Sequence, residues 1–371
     1  MKEEAICALA LAGIPGIGNV LLKQLVAYTG SHTEALKAPK RHLSKIPGIG
    51  PALIGSIESN RKSAIERAEK ELELVEKEGG FMHHYLEKEY PSRLKSIPDA
   101  PPVLFGKGVF HFDAPRTLAI VGTRQASEYG KKVIEEFLEE LVPFKPVIVS
   151  GLAYGIDIAA HKSAIKLGLE TWGVMATGID QIYPSAHKTT AHTMLNNGGI
   201  LTENPLKTKP DAPRFPARNR IIAGLSDAVW VVEAMEKGGA LITARLASDY
   251  FRDVFALPGT IHQKASVGCN ELIRKNIASI ALSGKQIAES MGWVDDDLSV
   301  GKPVKKKQRP DDLSESDHKI LDLFELNGNI QMDEISWRSQ IPINQLASQL
   351  LNLEFNGLVK SLPGKRFGLS S

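Results

Sequence analysis

Between residues 117 and 293 short apolar runs alternate with amphipathic stretches. TLAIVG (117–122), PVIVSG (146–151), TWGVMA (171–176), GILTE (199–203), DAVWVVEA (227–234) and DVFALPG (253–259) read as strands, with IASIAL (277–282) as a seventh candidate. The intervening segments, such as SEYGKKVIEEFLEELV (127–142) and IDIAAHKSAIKLG (156–168), carry helical periodicity. Near-continuous apolar strands separated by helices predict a parallel α/β sheet covered on both faces.

The flanking regions follow other patterns. Residues 1–80 read as short helices containing an internal repeat. GIPGIGNVLLKQLV (13–26) and KIPGIGPALIGSI (45–57) share the core IPGIG at an offset of 32 residues. NRKSAIERAEKELELVEKEG (60–79) follows as a charged amphipathic helix. Residues 81–116 contain YPSRLKSIPDAPPVLFGKG (90–108), a proline-rich stretch expected to be an extended connector. Residues 294–312 are charged and lack aromatics, the composition of a flexible linker. Its run Lys305, Lys306, Lys307 and Arg309 is a solvated stretch or a phosphate contact. Residues 313–371 read as helix, short helix, helix and hairpin, with Ser314 as a cap and Gly328 as a stop. That is the order of a winged helix-turn-helix. Its third helix carries Asn344, Gln345, Ser348, Gln349 and Asn352, no cation, and Glu354, a poor footprint for duplex DNA.

A chain of 371 residues with 43% apolar and 24% charged side chains fits two or three soluble domains. The formal net charge of +2 points to no polyanion, so any such signal is local. Two cysteines, Cys7 and Cys269, have no metal-ligand spacing and fit a reducing cytosol. AICALALAG (5–13) resembles a short signal core, but Glu3 and Glu4 oppose the basic region such a peptide needs. No apolar stretch approaches the roughly 20 residues that cross a bilayer. A cytoplasmic protein without a membrane partner is expected.

In an open parallel sheet, ligands bind beyond the carboxyl ends of the strands. GTR (122–124) follows the first strand. SGLAYGID (150–157) follows the second, with Gly151 and Gly155 permitting close approach and Asp157 placed to cap a helix. TGIDQIYPSAHK (177–188) ends in Lys188. PLKTKPDAPRFPARNR (205–220) sets Lys207, Lys209, Arg214, Arg218 and Arg220 against one acid, Asp211, with Phe215 among them. Cations around an aromatic ring suit a single strand: charge tracks the backbone and the ring stacks on a base. EKGGALITAR (236–245) adds a turn, Gly238 and Gly239, before a helix whose amides and Thr243 suit an anion. The paired IPGIG turns either bring backbone close to DNA phosphates or pack Ile14, Ile17, Ile46 and Ile49 as core, with Lys23 the obvious nearby charge. The dinucleotide G-x-G-x-x-G and the P-loop signature are absent, and no His, Cys and Asp group has convincing metal spacing. His161 reads as a packed or capping histidine. With no defensible nucleophile–base pair, neither catalysis nor a cofactor or metal is expected.

At this point VGTRQASEYG, IVSGLAYGIDIAAH, GIDQIYPSAH, FPARNRIIAGLSDAVWVVEA, GGALITARLA and DVFALPG together resemble the DNA-processing protein A family (DprA, also called Smf), and the connector fits it too. The resemblance implies a Rossmann-like central domain between a helical helix-hairpin-helix or SAM-like domain and a winged helix. It implies a binding protein of natural transformation that protects incoming single-stranded DNA and helps load the recombinase RecA. It also implies a homodimer through the central domain, with no cofactor. The family pocket maps onto Gly122, Thr123 and Arg124 and onto Phe215, Arg218, Asn219 and Arg220. Ser185 stands where some relatives carry lysine, and Ala212 offers no charge, which shifts the expected contacts to Arg214 and Lys188.

Two other classes stay open on sequence alone. One is a Rossmann-like nucleotide phosphoribohydrolase, whose glycine turn precedes a threonine and a catalytic glutamate; here Thr243 and Arg245 follow the turn. The other is a regulator that reads duplex DNA through the winged helix.

Overall fold

The structure, a computed structural model, describes residues 2–294, 313–362 and 366–369. They fall into two compact units, residues 1–284 and 285–371.

The first unit begins with α1 (Lys2–Ala12), α2 (Asn19–Thr29), α3 (His32–Lys37), α4 (Lys40–Leu43) and α5 (Pro51–Lys77). Both IPGIG cores are tight turns. Gly16 at φ +89° and Gly48 at φ +81° take left-handed conformations that glycine adopts without strain. The two turns are tied reciprocally. Gln24 Nε2 donates to the Pro47 carbonyl at 2.8 Å, and Ser56 Oγ, 32 residues on, donates to the Pro15 carbonyl at 2.9 Å. The repeats therefore relate by an approximate two-fold, with Ile14, Ile17, Ile46 and Ile49 buried between them. Lys23 is turned away from the hairpins, and its ammonium donates to the carbonyls of Ile97 and Pro98. The helices expected separately over 51–57 and 60–79 are one, α5. Neither proline nor glycine interrupts 57–60, and the Asn60 amide donates to the Ser56 carbonyl within the helix.

The segment expected as a connector supplies sheet. β1 (Phe81–His84) and β2 (Val103–Val109) flank α6 (Ser92–Lys95) and pair antiparallel. There follow β3 (Thr117–Val121), α7 (Glu128–Leu141), β4 (Val147–Gly151), α8 (Ile156–Lys166), β5 (Thr171–Val174), α9 (Lys188–Met194), β6 (Gly198–Thr202), α10 (Arg214–Leu225), β7 (Ala228–Val231), α11 (Gly239–Asp249), β8 (Asp253–Ala256), α12 (Val267–Arg274) and β9 (Ser279–Ile280). The nine strands run in the order β1-β2-β6-β5-β4-β3-β7-β8-β9. β2 joins β6 antiparallel, and every pairing from β6 to β9 is parallel.

Burial explains the pattern. All residues of β3 to β7 are buried, so each strand needs apolar side chains on both faces. α7 turns Val133, Ile134, Phe137, Leu138 and Leu141 inward, and Phe137 stacks on Trp230 at 4.5 Å. Val75 of α5 and Ala8 of α1 pack with Val103, Phe105, Met175 and Ile179, which seats the N-terminal helices on the sheet. The chain steps outward from β3 to β6, and α10 then returns it to β7 on the other side of β3. The loops after β3 and β7 diverge at that switch point and leave a crevice.

α13 (Gly284–Ser290) spans the boundary, and the second unit continues with α14 (Glu315–Asn327), β10 (Ile330–Gln331), α15 (Met332–Ser339), α16 (Ile343–Phe355), β11 (Val359–Leu362) and β12 (Arg366–Leu369). Helices α14 to α16 with the sheet β10-β12-β11 make a winged helix around Phe324, Ile335, Leu346, Leu350 and Leu353. Ser314 forms a capping box with Asp317, and the Gly328 amide closes α14 on the Phe324 carbonyl. Glu354 accepts from the amide and hydroxyl of Ser361, so the lone acid of the third helix fastens the hairpin. Lys305, Lys306, Lys307 and Arg309 lie outside the described residues. No helix among the described residues is long and apolar enough to cross a membrane.

Candidate nucleic-acid interface

β3 ends against a locked turn. A Cβ on Gly122 would lie 2.4 Å from the Ile156 side chain and 2.9 Å from the Glu233 carbonyl, so no larger residue fits. The Thr123 amide donates to the Glu233 carbonyl at 2.8 Å, and its own carbonyl accepts from the Ile156 amide at 3.1 Å. The turn is thereby held from both the end of β7 and α8, and it projects Arg124 into solvent. The guanidinium lies over the Phe215 ring, 5.4 Å from its centre, a cation–π contact. Phe215 is half-buried and leans on Tyr183 at 5.7 Å.

Three helix N-termini meet this edge, and that of α7 is filled from within. Buried Glu233 accepts from the amide and hydroxyl of Ser127, which caps α7. The turn after β3 therefore offers an anion Arg124 rather than the start of α7. α8 has no side-chain cap: Asp157, expected to cap it, instead accepts from the Ala153 amide ahead of the helix and faces Arg218, and the Ile156 amide is taken by the Thr123 carbonyl. The start of α11 has no side-chain cap. Gly238, where an added Cβ would meet nothing within 4 Å, and Gly239 leave its amides open to the crevice.

α10 forms the opposite wall. Phe215, Arg218, Asn219 and Ile222, at helical spacing, turn to the crevice. Arg218 is buried and donates to the Val174 carbonyl and to Asn219 Oδ1. Asn219 in turn donates to the Gly239 carbonyl at 3.2 Å, which fixes α10 to the start of α11. Burial lowers the Arg218 guanidinium pKa and raises that of the Asp157 carboxyl, and each charge counters the shift of the other. Gly151 makes room for this pair, since a Cβ there would lie 2.4 Å from Asp157 and 2.5 Å from Arg218.

The result is an open cleft of about 1100 Å³. Among the candidate residues, Gly122, Thr123, Arg124, Phe215, Arg218, Asn219, Gly238, Gly239 and Thr243 line it. The others do not. Arg220 turns to the far side of α10, where it pairs with Glu203 and donates to the Asp99 carbonyl at 2.7 Å. Arg214 is occupied by Asn204 at 2.9 Å and stands 4.0 Å from Asp211. Lys188 is exposed at the start of α9, outside the lining, and Gly151 lies beneath it. Thr243 lines the cleft, but its hydroxyl donates to the Gly239 carbonyl at 3.1 Å. Sequence reasoning passed over Tyr183, Lys237 and Arg245 in the lining. Cations on either side of Gly238 and Gly239 were the available signal for the last two. His161 is a packed histidine: buried, and bonded to the Thr171 hydroxyl and the Gly151 carbonyl at 2.7 Å each.

A doubly wound sheet with a cleft at its switch point lined by Arg124, Lys237, Arg245 and Phe215, followed by a winged helix, defines a Rossmann-like protein with a second, winged-helix module. Residues 81–292 match the family model of DNA recombination-mediator protein A, and residues 304–365 match the DprA winged helix domain. The chain belongs to the DNA recombination-mediator protein A family. It is 33% identical to Protein Smf of Synechocystis, covering 99% of both chains. The X-ray structure of DNA processing protein A from Streptococcus pneumoniae superposes with a TM-score of 0.67 at 33% identity, over 78% of this chain and 98% of that one. DNA processing protein A from Helicobacter pylori, described for its single-stranded DNA binding mode, gives a TM-score of 0.52 at 30% identity, over 57% of this chain and 94% of that one.

Proposed function

We propose that this chain binds single-stranded DNA along the switch-point cleft. In this role it protects DNA entering during transformation and helps deliver it to the recombinase RecA, as a cytoplasmic homodimer joined through the sheet domain. The observation that carries the reading is Arg124 lying over Phe215, opposite the open start of α11. One wall offers a cation and stacking rings, and the other offers backbone amides and Arg245. A phosphodiester chain with unpaired bases matches both. The family's description as a recombination mediator and the single-strand binding of the H. pylori relative support the reading. The protein acts by binding, without a covalent step. In the winged helix, Ile343, Leu351 and Phe355 are exposed on α16, a helix without cations, which favours a protein partner there over duplex DNA.

The test is the double variant Arg124→Ala with Phe215→Ala, titrated with an oligothymidine. Loss of one stacked base, about 1–3 kcal/mol, predicts a fall of at least about fivefold before the lost charge is counted. Wild-type affinity should also drop steeply with salt, because phosphate contacts release counterions. A double variant that binds as tightly as wild type at moderate salt refutes the cleft.

A further inference from the structure

The loop from β6 to α10 carries Lys207 and Lys209, and its far end, Pro210 to Ala212, lines the cleft. Its near end is held from the N-terminal helices. The Leu206 amide donates to Glu71 Oε1 of α5 at 2.5 Å, across 135 residues of sequence. The next amide, of Lys207, is held by both carboxylate oxygens of Asp180 at 3.0 Å. The Leu206 side chain packs into the seam with Val75 of α5 and Ile179. Lys207 sits at φ +61°, a left-handed conformation that a non-glycine residue keeps only where its surroundings over-determine it.

The arrangement brings two carboxylates onto consecutive amides. Burial, with the Asp180 charge adding to it, raises the Glu71 pKa, and the Leu206 amide and Lys207 counter only part of the shift. Pro205 and Pro210 limit the backbone freedom of the loop, so the anchor at 206–207, together with the Thr208 carbonyl accepting from the Gly178 amide at 3.4 Å, bears on where residues 210–212 stand.

We propose that Glu71 is a positioning residue of the strand-binding cleft: α5 fixes the basic loop through the Leu206 amide, and the N-terminal helices thereby set affinity for single-stranded DNA. The proposal rests on the cleft reading above. It gives the helical region a part in binding that requires no contact between that region and DNA.

Oligothymidine binding by full-length variants at one salt concentration tests it. Glu71→Ala should weaken binding about tenfold, equivalent to about 1.4 kcal/mol. Its melting temperature should stay within about 2 °C of wild type. Glu71→Gln keeps an acceptor oxygen and should bind within about twofold of wild type. Hydrogen exchange at Leu206 should quicken in Glu71→Ala and not in Glu71→Gln. Wild-type affinity in Glu71→Ala, or equal loss in both variants, overturns the proposal. The Arg124→Ala, Phe215→Ala protein separates the two ideas. If it loses binding while Glu71→Ala does not, the positioning role alone fails. If it binds normally, the cleft falls and the positioning role falls with it.

Discussion

Arg218 and Arg220 stand two residues apart on α10 and serve opposite sides of it. Arg218 faces the cleft with Asp157 and Asn219, whereas Arg220 pairs with Glu203 beside Asp99 on the far side. Positions two apart on a helix do not share a face. Arg220→Ala should therefore act on stability: leaving Glu203 half-buried without its partner costs on the order of 3 kcal/mol. Protein that remains folded should bind oligothymidine like wild type. A melting curve and a binding isotherm on one preparation check both parts, and a selective loss of binding would place Arg220 in the site.

Gly155 and Gly238 make a second contrast. Gly155 has φ +78°, and a Cβ there would lie 2.2 Å from the Thr123 carbonyl. Gly155→Ala should cost at least about 2 kcal/mol and disturb the turn that presents Arg124. Gly238 has extended backbone and open space around it, so Gly238→Ala should change stability by less than about 0.5 kcal/mol. If a phosphate approaches the start of α11, that same harmless methyl should lower DNA affinity. Unchanged affinity would move the strand away from α11.

His161 sets an acid limit on the sheet. Burial pushes its pKa down from 6.5 to about 4, with the charges of Arg218 and His187 adding to the shift. The unfolded imidazole takes up a proton below about pH 6.5, whereas the folded ring does so only near pH 4. Between these values the unfolded state binds more protons, so stability should fall as pH falls. His32 and His84, also pushed down by burial, add to the same slope. Melting temperatures across this window should decline in wild type and decline less in His161→Gln. Equal slopes would contradict the assignment.

Much of the fold was legible because its signals are local. Fully buried strands need unbroken apolar runs, and β3 to β8 stand within a few residues of the runs that announced them. Ser314 and Gly328 marked α14 through chemistry confined to one turn. β1 and β2 carry the sequence pattern of a connector because a strand is recognised by its partner, and the Phe105 to Thr202 pairing spans almost a hundred residues. The site divided in the same way. The GTR turn, Phe215 and the Gly238–Gly239 pair could be named from composition and spacing. Which cations point into the cleft could not, since Arg214 and Arg220 find Asn204 and Glu203 only once the chain has folded.

The stretch around Gly122 shows where the division lies. The sequence by itself determined a strand, a glycine turn, a cation and a helix start, because each depends on residues within one or two turns of chain. Tertiary structure decided what that turn offers a ligand. It delivered the Glu233 carboxylate from the end of β7 to the start of α7, laid Arg124 on Phe215, and left the start of α11 uncapped. Electrostatics act through space over a few ångströms, and only the folded sheet brings residues a hundred positions apart to that distance.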